Sequence, residues 1–330
     1  ASQLNMGYLI HQADNHRGSF RGQGFELRTD AYGAIRATQG LLISSYGTGL
    51  SDPAGDNAPG MALLKQAMTL ADSFSQAAKT HQTTTLASAI GTTKSGTSAL
   101  SDKAAPMKAL YQAASGTVSQ SALDNAISDA NSKSTQAGNG KLPHTTDPIV
   151  AISAKAGLAV VAGQDIQFAS GEAISWQAGQ DLHIAGGNQL RVNTGQSLGI
   201  LAGAVQAGEG AKGKGLTMIA GQGPVQMQAQ AGQVQVAAKG LINVQSANAH
   251  IDWAAAKKIT LATSGGAQIV ISADGITTQC PGKITVKAAQ KSFIGPGTEN
   301  YPLPQLPRST LCVECLLKAM KSGSPIASLA

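Results

Sequence analysis

The sequence predicts a mainly β chain whose central part is an octapeptide-repeat β-helix. Three observations carry this expectation. Apolar residues recur as pairs two apart, one pair every eight residues: Val150/Ile152, Leu158/Val160, Ile166/Phe168, Ile174/Trp176, Leu182/Ile184, Leu190/Val192 and Leu198/Ile200. Gly163, Gly171, Gly179, Gly187 and Gly195 each stand three residues before a pair, and Gln164, Glu172, Gln180, Asn188 and Gln196 follow them. Composition agrees, because 39 glycines, 4% aromatic and 13% charged residues in 330 fit a thin repetitive core better than a globular one.

A spacing of two puts both members of a pair on one face of an extended strand, and the glycine gives the corner that follows its backbone freedom. Two apolar side chains per octad cannot bury themselves, so the octads must pack round a common axis. Either one chain coils with three octads per triangular turn, or three chains intertwine and each gives one face of every layer. About 4.8 Å between strands makes the pairs from Val150 to Val286 span roughly 24 Å in the first case and roughly 70 Å in the second. Periodicity leaves both open.

Along the chain, residues 1–46 carry the same beat in Phe25/Leu27, Ile35 and Leu41/Ile43, and are expected to form the first, N-terminal segment of the β structure. Residues 47–148 change period. Met61 to Ala87 places Leu64, Ala67, Met68, Ala71, Phe74 and Ala78 at helical spacing. Pro106 to Ala130 repeats that spacing through Met107, Leu110, Tyr111, Ala114, Val118, Leu123 and Ile127, with Gly116 and Thr117 as weak points. A helical hairpin insertion is expected here, followed by a polar linker from Asn131 to Pro148. Residues 149–294 hold the octad shaft. Its later pairs include Leu216/Met218, Val225/Met227, Val234/Val236, Ile242/Val244, Ile251/Trp253, Ile259/Leu261, Ile269/Ile271 and Ile284/Val286, with longer gaps at Gly208–Gly215 and Asp274. Residues 295–330 begin with a proline-stiffened stretch, Tyr301 to Pro307, and then offer a short helix from Leu311 to Lys321. An isolated helix of that length gains stability by docking. The tail residues Leu303, Leu306, Leu311, Cys312, Cys315, Leu316, Leu317 and Met320 are therefore the candidate partner-binding set.

Chemistry beyond binding finds little support. The net charge of +6 comes from scattered Lys and Arg without interleaved aromatics, which argues against nucleic acid. Neither a signal peptide nor an apolar run of membrane-spanning length is present, and Ala at position 1 reads as a fragment or processed chain. Three cysteines give no disulfide framework, and reduced thiols are expected. Cys312-x-x-Cys315 lacks the further ligands a structural zinc needs, so neither metal nor cofactor is expected. The six histidines do not cluster. Asp165 and Asp181 occupy equivalent corners but lie two octads apart, which does not stack them as a hydrolytic pair. Lys212 and Lys214 sit in a glycine-rich stretch without the Gly-Lys-Ser/Thr ending of a phosphate loop.

Three blocks carry a family resemblance. Leu4-Asn5-Met6-Gly7-Tyr8-Leu9, Asp14-Asn15-His16-Arg17-Gly18-Ser19-Phe20-Arg21-Gly22 and Gly24-Phe25-Glu26-Leu27-Arg28-Thr29-Asp30-Ala31-Tyr32-Gly33 resemble the VgrG spike proteins of type VI secretion systems. The octads and Leu311-Cys312-Val313-Glu314-Cys315-Leu316-Leu317-Lys318-Ala319-Met320 are also similar to that family's C-terminal region. The resemblance implies an intertwined homotrimeric needle without enzymatic activity. It further implies a PAAR-repeat cap, toxic effectors or adaptor chaperones as cargo, and attachment to the Hcp tube through N-terminal parts outside this chain. Such a protein is made in the bacterial cytoplasm and exported by the type VI machine, without a stable membrane anchor. A phage-type tail spike or adhesin is the alternative, and a β-solenoid enzyme acting on polysaccharide is a more distant one.

Overall fold

The computed structural model describes residues 2–13, 16–90, 98–136, 138, 140–204, 215–299 and 301–304. They fall into two compact units, one reaching to Thr217 and the other beginning at Met218.

In the first unit, β1 (Ser2–Ala13) and β2 (His16–Thr29) form an antiparallel hairpin with Leu4 opposite Leu27 and Met6 opposite Phe25. The Phe25/Leu27 pair thus finds its partners across a hairpin and does not start a helical layer, although its spacing matches the octads. Pairing across a tight connection requires far less loop closure than pairing with a distant octad. The rings of Tyr8 and Phe20 meet at 4.7 Å. On the polar side the Arg21 guanidinium donates to both Glu26 carboxylate oxygens at 2.8 and 3.0 Å, and the Asn5 amide adds a bond at 3.3 Å.

Gly40, at φ +120°, turns the chain into β3 (Leu41–Ser44). The insertion follows: α1 (Ala58–Thr80), α2 (Ala87–Ile90), α3 (Pro106–Ala114), β4 (Thr117–Ser119), α4 (Leu123–Asn131) and β5 (Lys141–Pro143). Then β6 (Val150–Ser153) pairs in parallel with β3, setting Leu41 beside Val150 and Ile43 beside Ile152. The insertion therefore leaves a β layer and returns the chain to the same face with its apolar pair in register.

Both α1 and α3 begin with proline in the first turn, where the missing N–H removes no helical bond. Between them the core is made of small residues: Ala71, Ala78, Ala104, Ala105, Ala109 and Ala113 are buried with Met107. The second expected helix is divided. Thr117 and Val118 are buried in a two-stranded ladder with Leu142 and Pro143, and α4 starts only at Leu123. Gly116 explains the break: a Cβ there would lie 2.7 Å from the His144 carbonyl oxygen and 3.0 Å from the Thr146 nitrogen. The subdomain closes with ion pairs from Lys141 to Asp129 at 2.6 Å and from Lys133 to Asp147 at 3.0 Å.

The octads behave differently. Among the described residues from 154 to 257 no strand ladder forms within the chain. Their apolar pairs stay open to solvent, with Ile174 52% and Leu190 70% exposed.

In the second unit, β7 (Lys258–Ala262), β8 (Gln268–Ser272) and β9 (Gly275–Gln279) form an antiparallel meander. Ile259 faces Ile271 and Leu261 faces Ile269, so two pairs that count as successive octads in sequence oppose each other across a hairpin. The turn at Gly265-Gly266 and the two-residue connection Ala273-Asp274 before Gly275 decide this.

Candidate functional surfaces

Two surfaces stand out: the seam between insertion and shaft, and the start of the tail. The seam lies on octads spaced by 24 residues. Ser153, beside the Val150/Ile152 pair, donates its hydroxyl to the Asn57 side chain at 3.1 Å and to Ser44 at 2.9 Å. At the Gly171 corner the Glu172 carboxylate accepts the Ala99 backbone N–H at 3.0 Å and the Ser98 hydroxyl at 3.2 Å. The amide of Gln177 in the same octad contacts Met107 sulfur at 4.0 Å. In the Gly195 octad Thr84 donates to the Ser197 hydroxyl at 3.3 Å. Gly199 sits so close that a Cβ would lie 2.8 Å from Thr83 Oγ1, 2.9 Å from Thr84 Cβ and 3.0 Å from Thr84 N.

Pairs at 150, 174 and 198 are three octads apart, so a triangular section puts them on one face. Helix α1 runs beside that face. Its start adjoins Asn57, and Thr83 folds back to donate its N–H to the Ala78 carbonyl at 2.9 Å. From Ala58 to Ala78 the helix covers about 30 Å, with Ser153 held just before its start and Ser197 held just past its end. Sequence reasoning recorded Glu172 only as one polar corner among five and gave Gly199 no role. The available signal was departure from the repeat: the other four corners carry amides, and the other outward residues between pair members all have side chains.

At the tail, Leu303 is 42% exposed. Leu306, Leu311, Cys312, Cys315, Leu316, Leu317 and Met320 lie outside the described residues. Just before Leu303, the Tyr301 hydroxyl bonds the Asp252 carboxylate, which holds the phenol above its ordinary pKa. Tyr301 also lines an open hollow with Ile251, Trp253 and Ile259. Asp165, Asp181 and His183 are exposed on the shaft. Among the described residues no three His, Cys, Asp or Glu side chains gather as a metal site, and no helix is long and apolar enough to cross a membrane.

Comparison with known proteins gives this geometry a family. Residues 1–78 match a family described as putative type VI secretion system Rhs element Vgr, and residues 137–297 match one described as an uncharacterized protein conserved in bacteria. The type VI secretion system spike protein VgrG2b of Pseudomonas aeruginosa is 32% identical over 307 residues, 92% of this chain. The chain belongs to the VgrG spike family. VgrG2a of the same organism is also 32% identical, over 90% of the chain. The chain spans only 26% and 30% of the lengths of these two VgrG relatives. A solved VgrG spike shares the fold with TM-score 0.55 and 24% identity, covering 86% of each chain. A second VgrG spike, solved with the Tle1 effector bound, has the same score and identity over 87% of this chain and 71% of its own.

Proposed function

We propose that three copies of this chain intertwine into the needle of a type VI puncturing spike, which acts mechanically and as a carrier rather than as an enzyme. The observation that carries the reading is that Ser153 and Ser197 are bonded by the residues flanking the two ends of α1. These residues lie 44 apart in sequence, five and a half octads. One layer of about 4.8 Å per octad gives about 26 Å, close to the helix length of about 30 Å. A single-chain coil with three octads per layer would separate them by under about 20 Å, even allowing for the width of one face. The bare apolar pairs, and the lack of an intrachain ladder among the described residues from 154 to 257, point the same way, because two further chains would supply both cover and backbone partners.

Cargo capture belongs to the tail in this reading. Leu303 and Leu306 offer an extended segment, and Leu311, Cys312, Cys315, Leu316, Leu317 and Met320 a helical face, which suits recognition by a groove. Effectors, adaptor chaperones or a PAAR-repeat cap would bind there, and the Hcp tube would attach through parts of the protein before this chain. The solved relative carrying an effector supports the carrier role in kind. Export through the type VI machine follows from the same reading. A solution mass of about three chains of 33.3 kDa is expected by light scattering, and a monomer would overturn the needle. Removing residues 302–330 should abolish effector retention in pull-downs while the mass stays trimeric; unchanged retention would defeat the tail assignment.

A further inference from the structure

We infer that the helical insertion is a register lock, and that Glu172 and Gly199 are the marks it reads on the shaft. The inference rests on the intertwined reading above. A strictly repeating shaft has a problem of its own making: sliding by eight residues sets Leu158/Val160 where Val150/Ile152 stood, and every later apolar pair meets an equivalent one. Apolar burial therefore discriminates poorly between registers, as in any strand whose pattern repeats. Something outside the repeat must choose.

The insertion is tied to β3 at one end, and two of its contacts with the shaft, at Glu172 and Gly199, fall where the repeat is broken in its favour. After the corner glycines stand Gln164, Glu172, Gln180, Asn188 and Gln196, so Glu172 alone is anionic. It alone can accept both the Ala99 N–H and the Ser98 hydroxyl through a full carboxylate charge, and charge-assisted bonds are about twice as strong as neutral ones. A slip of one octad either way presents Gln180 or Gln164 to the same two donors. Between the members of successive pairs stand Ala151, Ala159, Gln167, Ser175, His183, Arg191 and Gly199. Only Gly199 lacks a Cβ, and it lies where a Cβ would come within 3.0 Å of the Thr84 backbone nitrogen. A slip that brings Arg191 there drives a long side chain into Thr83 and Thr84, in the turn that follows α1. One mark attracts the right register and the other repels wrong ones, which is how specificity is built when affinity alone cannot supply it.

Both marks lie on octads three and six repeats after the Val150/Ile152 pair of β6; the turn after α1 meets Gly199, and the Ser98–Ala99 segment before α3 meets Glu172.

Cysteine trapping in the full chain reads the register directly. Ser44 and Ser153 are ladder partners with hydroxyls 2.9 Å apart, so Ser44→Cys with Ser153→Cys should form an intrachain disulfide in the native register. Ser44→Cys with Val161→Cys reports a slip of one octad. Peptide mapping of the oxidised trimer should find only the first in the otherwise unaltered chain. In the Glu172→Gln/Gly199→Arg background the slipped disulfide should appear and rise at least roughly tenfold above the parent level. If that double variant does not assemble, Glu172→Gln alone, which installs the repeat's own residue, should still raise the slipped fraction. Trimers of either variant that give only the Ser44–Ser153 disulfide overturn the lock and leave the needle standing; a monomeric parent overturns the needle itself.

Discussion

Gly116 and Gly157 are both glycines, yet their surroundings predict opposite responses to a methyl group. At Gly116 the added Cβ meets His144 and Thr146, while nothing lies within 4 Å of one at Gly157. Gly116→Ala should therefore destabilise the first unit by about 1–3 kcal/mol, as overpacking does, and Gly157→Ala should stay within about 0.5 kcal/mol; thermal unfolding distinguishes them. Charge acts at the same scale. The hydrogen bonds from Arg21 hold the Glu26 carboxyl below its ordinary pKa, with Asn5 adding to them. A depressed folded pKa contributes stability that is complete above the unfolded value and is lost as pH falls through the folded one. The stability advantage over Glu26→Gln should accordingly be present at neutral pH and disappear in acid below the usual carboxylate range. A difference that persists there would remove the ion pair as its cause. Tyr301 has the opposite sign. Its neutral phenol donates to Asp252, so that contact holds below the ordinary tyrosine pKa and is lost as pH rises through the raised one.

Among the elements, the insertion behaves as a subdomain with a core of alanines. Small side chains let α1 and α3 approach closely, and Ala71 and Ala109 are both almost fully buried. Ala109→Leu should cost about 1–3 kcal/mol by overpacking, and protease should then cut near α2 before it cuts the shaft. The hydrophobic period identified α1 well because its stripe is long and uninterrupted. The division of the second helix was harder to read, since Val118 fits both a helical stripe and the ladder it enters. What separates the two is the close approach of residues 144–146 to Gly116, a contact across some thirty positions that no local window contains.

At the scale of the whole molecule the decisive surface is the row of bare apolar pairs. Trp176→Asp or Leu190→Asp should block assembly, because each would bury an unpaired charge. His183→Asp, between the members of its pair, should leave the trimer mass unchanged. Equal effects at inward and outward positions would contradict the proposed packing of three chains round one axis.

The sequence by itself determined that apolar pairs recur every eight residues through the central region and that the insertion starts with a long helix; period and glycine placement are local properties and survive without a tertiary context. It also carried the family, through the N-terminal blocks. It did not separate true octads from look-alikes. Phe25/Leu27, Ile259/Leu261 and Ile269/Ile271 keep the beat and yet pair across hairpins, because a nearby turn closes a ladder with less loss of chain entropy than a distant layer can. Nor could it say what the insertion touches. Glu172 and Gly199 are legible as exceptions to a repeat, but only the folded chain brings Ala99 and Thr84 to them, across more than seventy and more than a hundred residues of sequence.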